Sequence, residues 1–299
     1  MRVWSTARFT ILLPPGHRFP LAKYDLVREG VVARGLVSEK DILEPERAGW
    51  DDLALVHSWR WLGLMRDGGL ARSDERRLGF PWSPGLLERS LRTAQATLEA
   101  ARAALAQGAG ASLAGGTHHA HRDFGEGYCC FNDVALAIRV LQREGMITRA
   151  AVLDLDVHQG NGTAEIFAGD PDVFTFSMHG ARNFPFRKSR SSLDLELEDR
   201  SGDAEYLDLL QRHLDDVLDR ARPDLVFYLA GADPYAGDRL GRLSLSIDGL
   251  ARRDRGVLTA CHARGLPVTM VMAGGYAEDL SHLVTIHANS IAELHRVYG

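Results

Sequence analysis

The sequence predicts an α/β fold, a three-layer single domain over residues 1–299 with a mainly parallel central sheet flanked by helices. Three observations carry that expectation. Helical and apolar-strand segments alternate through the second half of the chain. Strand segments such as 173–178 and 225–230 lack in/out alternation, so both their faces are covered, as in parallel sheets. Several of these segments run into polar residues and a turn, which is where open parallel sheets keep their ligands.

Taken in order, residues 1–20 read as a strand followed by the loop Leu13-Pro14-Pro15-Gly16-His17-Arg18-Phe19-Pro20, and residues 23–34 as a helix. A short element starts at residues 53–57. Trp59, Trp61, Leu62 and Met65 have helical spacing, stopped by Asp67-Gly68-Gly69. Residues 76–84 read as a loop whose aromatic tip, Phe80-Pro81-Trp82, either lines a pocket mouth or packs on the surface. The strongest helical pattern is 86–107, where Leu87, Leu91, Ala94, Leu98, Ala101 and Leu105 recur at three- and four-residue steps before Gly108.

A small-residue strand, 109–114, then delivers Gly115-Gly116-Thr117-His118-His119. A helix is expected over 132–143, a strand from 151, a short helix near 164–167 and a buried strand over 173–178 that ends in His179. Residues 180–202 read as a long irregular loop around Asn183-Phe184-Pro185-Phe186. An amphipathic helix (204–221) precedes a strand (225–230) that runs into Gly231-Ala232-Asp233. A helix (249–264), a strand (267–272) ending in Ala273-Gly274-Gly275-Tyr276, and a closing helix (280–298) complete the chain.

Composition narrows the function classes. With 45% apolar and 25% charged residues the chain has the profile of a soluble globular protein. A net charge of −5 gives no basic footprint for nucleic acid. Only Lys23, Lys40 and Lys188 are lysines; the arginine excess reads as a compositional bias without functional meaning. No apolar run is long enough to cross a bilayer, and Phe9-Thr10-Ile11-Leu12-Leu13 is too short for a signal segment. Cys129, Cys130 and Cys261 form no C-x-x-C pair, so packed thiols in a reduced, cytoplasmic protein are expected.

The chemistry centres on Asp154-Leu155-Asp156-Val157-His158, an apolar strand that ends in three ionisable side chains at every second position. Alternate residues of a strand share a face, so these groups project together, which is costly unless a cation compensates them. Asp156, His158 and Asp233 supply three N/O ligands and leave a coordination position for water, the arrangement of a catalytic zinc site. The tandem His118-His119 can supply a base and an acid. Tyr276, on its Gly-Gly turn, can donate to an oxyanion. Together these parts describe amide hydrolysis. A lone His-His pair usually reflects packing; the glycines before this one and the metal strand after it reverse that balance. His57 and His179 read as structural, and His17 and Arg18 as N-terminal loop residues near a channel.

Gly115-Gly116-Thr117-His118-His119-Ala120, Gly127-Tyr128-Cys129-Cys130-Phe131-Asn132-Asp133, Asp154-Leu155-Asp156-Val157-His158-Gln159-Gly160-Asn161-Gly162, Ala230-Gly231-Ala232-Asp233 and Gly274-Gly275-Tyr276 occur in this order. In this the chain resembles the zinc-dependent histone deacetylases. The segment Gly237-Asp238-Arg239-Leu240-Gly241-Arg242-Leu243-Ser244-Leu245-Ser246, with Arg253-Asp254, is similar to the class IV branch, as is His158-Gln159-Gly160-Asn161-Gly162.

The resemblance implies the arginase/deacetylase fold, with one zinc ion on Asp156, His158 and Asp233. It implies that His119 is the general base and acid, that His118 is a second histidine backed by Asp154, and that Tyr276 polarises the acyl carbonyl. Asn161 stands where some branches have a second carboxylate, so His119 is expected to be the less basic of the pair. Gly127 offers its carbonyl to the substrate amide, Tyr128 forms a channel wall, and Leu240 and Gly275 lie beside the substrate. An apolar residue at Leu240 favours a neutral acyl-lysine over a polyamine. A K+ or Na+ site is implied on backbone oxygens of Asp154, Asp156, His158 and Met178 with the side chains of Asp154 and Ser177. The expected partner is an acyl-lysine peptide or protein, or a small acylated amine, with no direct nucleic acid and no membrane; the oligomeric state stays open. The alternatives are an acetylpolyamine or other small-molecule amidohydrolase and a non-catalytic acyl-lysine binder. A binuclear-manganese ureohydrolase would need aspartates where this chain has Gln159 and Gly160.

Overall fold

Eight strands form one all-parallel sheet in the order β2-β1-β3-β8-β7-β4-β5-β6. The strands are β1 (Val3–Trp4), β2 (Ile42–Leu43), β3 (Ala109–Ser112), β4 (Ala150–Asp154), β5 (Val173–Gly180), β6 (Leu193–Leu197), β7 (Leu225–Leu229) and β8 (Val268–Val271). The computed structural model describes residues 2–299. Helices cover both faces, as the continuous apolar strands require. Alternate residues of β4 feed two separate apolar layers. Ala151 and Leu153 pack toward α1 (Lys23–Ala33), α8 (Asp203–Ala221), α9 (Ile247–Ala263) and α10 (Leu280–Tyr298). Ala150 and Val152 face the layer built with α2 (Trp50–Leu53), α3 (Trp59–Asp67), α5 (Pro84–Gln107) and α6 (Asp133–Arg143). Among the described residues no helix is long and apolar enough to cross a membrane.

The helices begin where the sequence provides caps. Ser58, Ser83, Asn132, Ser246 and Asp279 each accept a backbone N–H from the first turn of α3, α5, α6, α9 and α10. Gly68 ends α3 in the left-handed conformation.

Four local expectations differ from the fold. Residues 76–84 are not all loop, because α4 (Arg72–Leu78) occupies their start. Its only buried residue is Leu78, so it has no apolar stripe to betray it. Residues 180–202 contain β6, a half-exposed edge strand paired with β5, and β5 itself continues through His179 to Gly180. The first strand is only Val3–Trp4, and the apolar run at 9–13 is not a strand. The short helix α7 (Asn161–Ile166) begins earlier than expected, on the Gly-rich turn itself.

In register, Asp154 lies opposite Ser177 of β5 and Leu229 of β7. The residues that follow β4, β7 and β8 therefore emerge side by side at one sheet edge, where the crevice of such sheets lies.

Candidate active site

Asp156, His158 and Asp233 converge at that edge, fully buried or nearly so, with one donor atom of each within 4.8 Å of the others. Among the described residues they are the one His/Cys/Asp/Glu group spaced for a metal ion. Asp156 Oδ1 accepts the His158 backbone N–H, and Oδ2 accepts the Gly274 N–H at 2.6 Å. Asp233 Oδ1 accepts the Val157 N–H at 2.9 Å. Asp233 Oδ2 has no hydrogen-bond partner; His158 Nδ1 lies 3.2 Å away without hydrogen-bond alignment. A Cβ on Gly274 would collide with both carboxylates, so only glycine lets this backbone close over them.

The electrostatics show what the donor set lacks. Burial, then repulsion from Asp156, pushes the Asp233 carboxyl up to about 7. Burial opposes charge on His158, yet its hydrogen bond to Asp156 and the Asp233 carboxylate beside it raise it to about 10. Protons balance the buried carboxylates, and a divalent cation can replace them. An orphaned carboxylate oxygen beside an N/O donor set fits a metal ion.

The histidine pair follows β3. Asp133, the first residue of α6, accepts the N–H groups of Gly116 and Thr117 and the hydroxyls of Thr97 and Thr117, which pins the loop that carries the pair. The rings of His118 and His119 are 4.1 Å apart. His118 Nδ1 is 2.6 Å from Asp154 Oδ2. Burial disfavours its charge, but Asp154 and Asp156 outweigh that and raise it to about 9. His119 Nδ1 donates to Asn161 Oδ1 at 2.6 Å. The orientation of the Asn161 amide is fixed because its Nδ2 donates to Glu126 Oε1 at 2.6 Å and to His121 Nε2 at 3.1 Å. His121 Nδ1 in turn donates to Glu165. With Nδ1 carrying the proton, His119 keeps an acceptor at Nε2. Burial, then the neighbouring His118 and His158 charges, hold it well below the usual histidine range.

Tyr276 lines the same site, its ring 6.3 Å from that of His158. Burial, then Asp233 and Asp156, push its phenol well above the ordinary range, so it stays a donor. Its peptide is held from both sides. Its N–H donates to Asp238 Oδ2, and its carbonyl accepts from Arg239 Nε at 3.0 Å. Asp238 Oδ1 also accepts the N–H groups of Leu240 and Gly241, tying the tyrosine to the channel wall. Gly275 does not line the cavity. Its carbonyl accepts from Lys23 Nζ at 3.2 Å, a lysine only 1% exposed whose ammonium lies 5.4 Å from the Tyr276 ring.

A cavity of about 700 Å³ leads down to His119, His158 and Tyr276. Gly127, Tyr128, Phe184 and Leu240 form its walls, and the Phe184 ring meets His119 edge-on at 4.8 Å. Tyr128 sits at φ +68° and Ala273 at φ +54°, left-handed conformations that cost a non-glycine residue energy and mark constrained positions at the site. The N–H groups of Gly127 and Tyr128 donate to Arg77 and Leu78 carbonyls at the end of α4, so the unforeseen helix holds the channel wall.

Other expectations fall outside this cluster. Phe80 is buried against Phe19 and Tyr128, and Trp82 Nε1 donates to the Met65 carbonyl, so the aromatic tip is packed. His57 is a neutral brace pushed down to about 4 by burial, donating to His121 O and accepting the Asn132 N–H. Ser177 Oγ lies 3.0 Å from His179 Nδ1, and Met178 is buried. His17 bonds the Gly79 carbonyl and stacks on Phe80, while Arg18 reaches the cavity mouth. Burial pushes Cys129 far up and Cys130 up to about 12, so both are inert thiols.

Sequence reasoning missed Glu126, His121 and Asp238 as parts of this assembly. Glu126 and His121 stand between two recognised motifs, and Asp238 within a third, but their partners are far away in sequence.

The histone deacetylase domain profile matches residues 17–291. An uncharacterized protein from Picosynechococcus sp. is 44% identical over 92% of this chain and 92% of its own length. Histone deacetylase 2 of Arabidopsis thaliana is 31% identical over 94% of this chain and 74% of its own. Among solved structures, an acetylpolyamine aminohydrolase from Burkholderia pseudomallei matches with a TM-score of 0.82 over 100% of both chains, at 22% identity, a likeness of fold alone. The profile match over most of its length places the chain in the histone deacetylase family, and its reaction class is that of a hydrolytic deacetylase.

Proposed function

We propose that the protein is a zinc-dependent deacetylase or longer-chain deacylase acting on the side-chain amide of acyl-lysine. We place it in the class IV branch on its segments 158–162 and 237–246. The observation that carries the reading is the buried Asp156/His158/Asp233 group beside a histidine with a free Nε2 and a protonated tyrosine, at the bottom of one channel.

Zinc bound by those three residues supplies Lewis acidity to the acyl carbonyl and makes the attacking water more acidic. The acyl-lysine side chain enters between Tyr128 and Phe184, and the Gly127 carbonyl accepts its amide N–H. His119 Nε2 takes the proton of the attacking water and passes it to the departing amine. The C–O bond forms first and puts negative charge on the carbonyl oxygen; the C–N bond then breaks, and with both water protons ending on nitrogen the products are a carboxylate and a lysine ammonium. The Tyr276 hydroxyl donates to the carbonyl oxygen as negative charge develops there. His118, paired with Asp154, keeps positive charge beside it. Asp154, Ser177 and Met178, with the backbone of Asp156 and His158, are proposed to hold K+ or Na+ behind the site.

Metal-reconstituted hydrolysis of matched acetyl-, decanoyl- and myristoyl-lysine peptides, run beside acetylpolyamines, tests the reading. Turnover of at least one lysine peptide is expected, and Tyr276→Phe is expected to lose roughly 10²–10³-fold in kcat. Inactivity on every substrate, or a mutant as active as the wild type, contradicts it. Turnover confined to acetylpolyamines selects the small-molecule alternative.

A further inference from the structure

The mouth of the channel carries a charge that the chain as a whole does not. The protein has 40 acidic against 35 basic residues. The cavity is nevertheless lined by Arg18, Arg76, Arg77, Arg182, Arg239 and Arg242, and by no aspartate or glutamate. These arginines come from four separate stretches: the N-terminal loop, α4, the loop after β5 and the segment after β7. All six are exposed.

Three of the six pair with acids outside the cavity, and three do not. Arg77 pairs with Asp74 at 2.9 Å, and Arg242 with Asp199 at 3.0 Å. Arg182 reaches the same Asp199 at 4.0 Å and Glu198 at 3.8 Å. Among the described residues, Arg18, Arg76 and Arg239 make no ion pair. Arg239 instead spends its donors on the Tyr276 and Arg18 carbonyls. Within the rim, Phe184, Phe186 and Leu240 provide an apolar surface, and Phe186 is 90% exposed.

A cleft lined by one sign of charge focuses the field and raises the local concentration of opposite charge by roughly 10–10³-fold in on-rate. Guanidinium groups also bind carboxylates in a fork geometry. The charge sits around the mouth, while the depth holds Gly127, Tyr128 and His119. The anionic part of a substrate therefore lies beside the acyl-lysine side chain.

We propose that the preferred substrate is an acyl-lysine flanked by acidic residues in an extended peptide. Flanking carboxylates meet the arginine rim, the peptide backbone rests on Phe186 and Leu240, and the neutral acyl side chain enters the channel. The same rim repels an acetylpolyamine, whose remaining amines are protonated. This inference rests on the acyl-lysine reading of the site.

The test uses three acetyl-lysine peptides of equal length flanked by glutamate, glutamine or arginine. A small acetylated amine carrying a carboxylate, and acetylspermidine, complete the set. Hydrolysis by the zinc-loaded protein and binding by fluorescence anisotropy are both measured at low and high salt. The glutamate peptide is expected to exceed the arginine peptide by about tenfold or more in kcat/KM, through KM, and by a similar factor in Kd. High salt should collapse the difference. The double variant Arg18→Glu/Arg76→Glu should flatten or reverse the order, read as the ratio of glutamate to glutamine peptide. Equal efficiencies, or an arginine preference, overturn the proposal, and a small anion matching the glutamate peptide overturns its peptide part. If no peptide is hydrolysed but the binding order holds, the acyl-lysine activity fails and the rim stands; if binding is also independent of flanking charge, the rim fails as well.

Discussion

At the scale of single residues, the two histidines differ by what stands behind them. Asp154 puts a carboxylate behind His118, whereas Asn161 puts an amide carbonyl behind His119. The pair is equally buried, so the difference in basicity comes from those partners and from the charge of His118 itself. His118, raised to about 9, carries its proton at neutral pH and loses it as pH rises through that value; His119, lowered, stays neutral there and remains an acceptor. NMR titration of the metal-free protein is expected to show His118 protonated up to about pH 9 and His119 already neutral at the bottom of the ordinary histidine range; His119 titrating higher than His118 contradicts the assignment. Asp156 and His158 were legible from their alternate spacing beyond an apolar strand, although β4 itself ends at Asp154 and both residues lie in the turn that follows it. Glu126 and Asp238 were not, because each acts on a residue roughly a tenth of the chain or more away: 35 positions from Glu126 to Asn161 and 38 from Asp238 to Tyr276.

At the scale of elements, α4 shows what periodicity misses. It buries only Leu78, so its sequence carries no apolar stripe, yet its C-terminal carbonyls hold Gly127 and Tyr128 in place. The helix is defined by its ends: Asp74 accepts the Ala71 N–H, and Gly79 stops the last turn at φ +83°. A Cβ at Gly79 would lie 2.7 Å from the Tyr128 ring. Gly79→Ala is therefore expected to lose about 1–2 kcal/mol of stability through the left-handed backbone and to raise KM as Tyr128 is displaced. Unchanged denaturation and kinetics in that variant contradict this placement of the channel wall. The edge strand β6 was hidden differently: Leu193, Leu195 and Leu197 alternate with acids, but the surrounding polar residues masked a five-residue strand.

At the scale of the whole molecule, the site depends on strands that must keep their relative positions. The buried Arg253 Nη1 donates to Gly231 O at 2.7 Å and to Leu155 O at 3.2 Å, joining the segments after β7 and β4 that carry Asp233 and Asp156. Asp254 neutralises it and accepts the Tyr228 and Ser290 hydroxyls, which links the clamp to the sheet and to α10. Removing one member of a buried ion pair costs about 3–5 kcal/mol, because the other charge is left uncompensated. Arg253→Leu is expected to lose that much in urea denaturation, and a loss below about 0.5 kcal/mol contradicts the clamp. The parallel sheet and its functional edge could be read from uninterrupted apolar strands that end in charge. The strand order and the arginine rim could not, since both depend on how distant segments meet. Arginines that looked like a compositional bias gather at one opening.

Asp156, His158 and Asp233 are proposed to hold one zinc ion on which amide hydrolysis depends. The most direct test titrates the metal-free protein with zinc while acetate release from an acetyl-lysine peptide is followed. Activity rising to a plateau at about one equivalent, abolished by chelation and absent in Asp233→Ala, is the predicted result. Hydrolysis that persists without metal, or in the Asp233 variant, contradicts a zinc ion on these three residues.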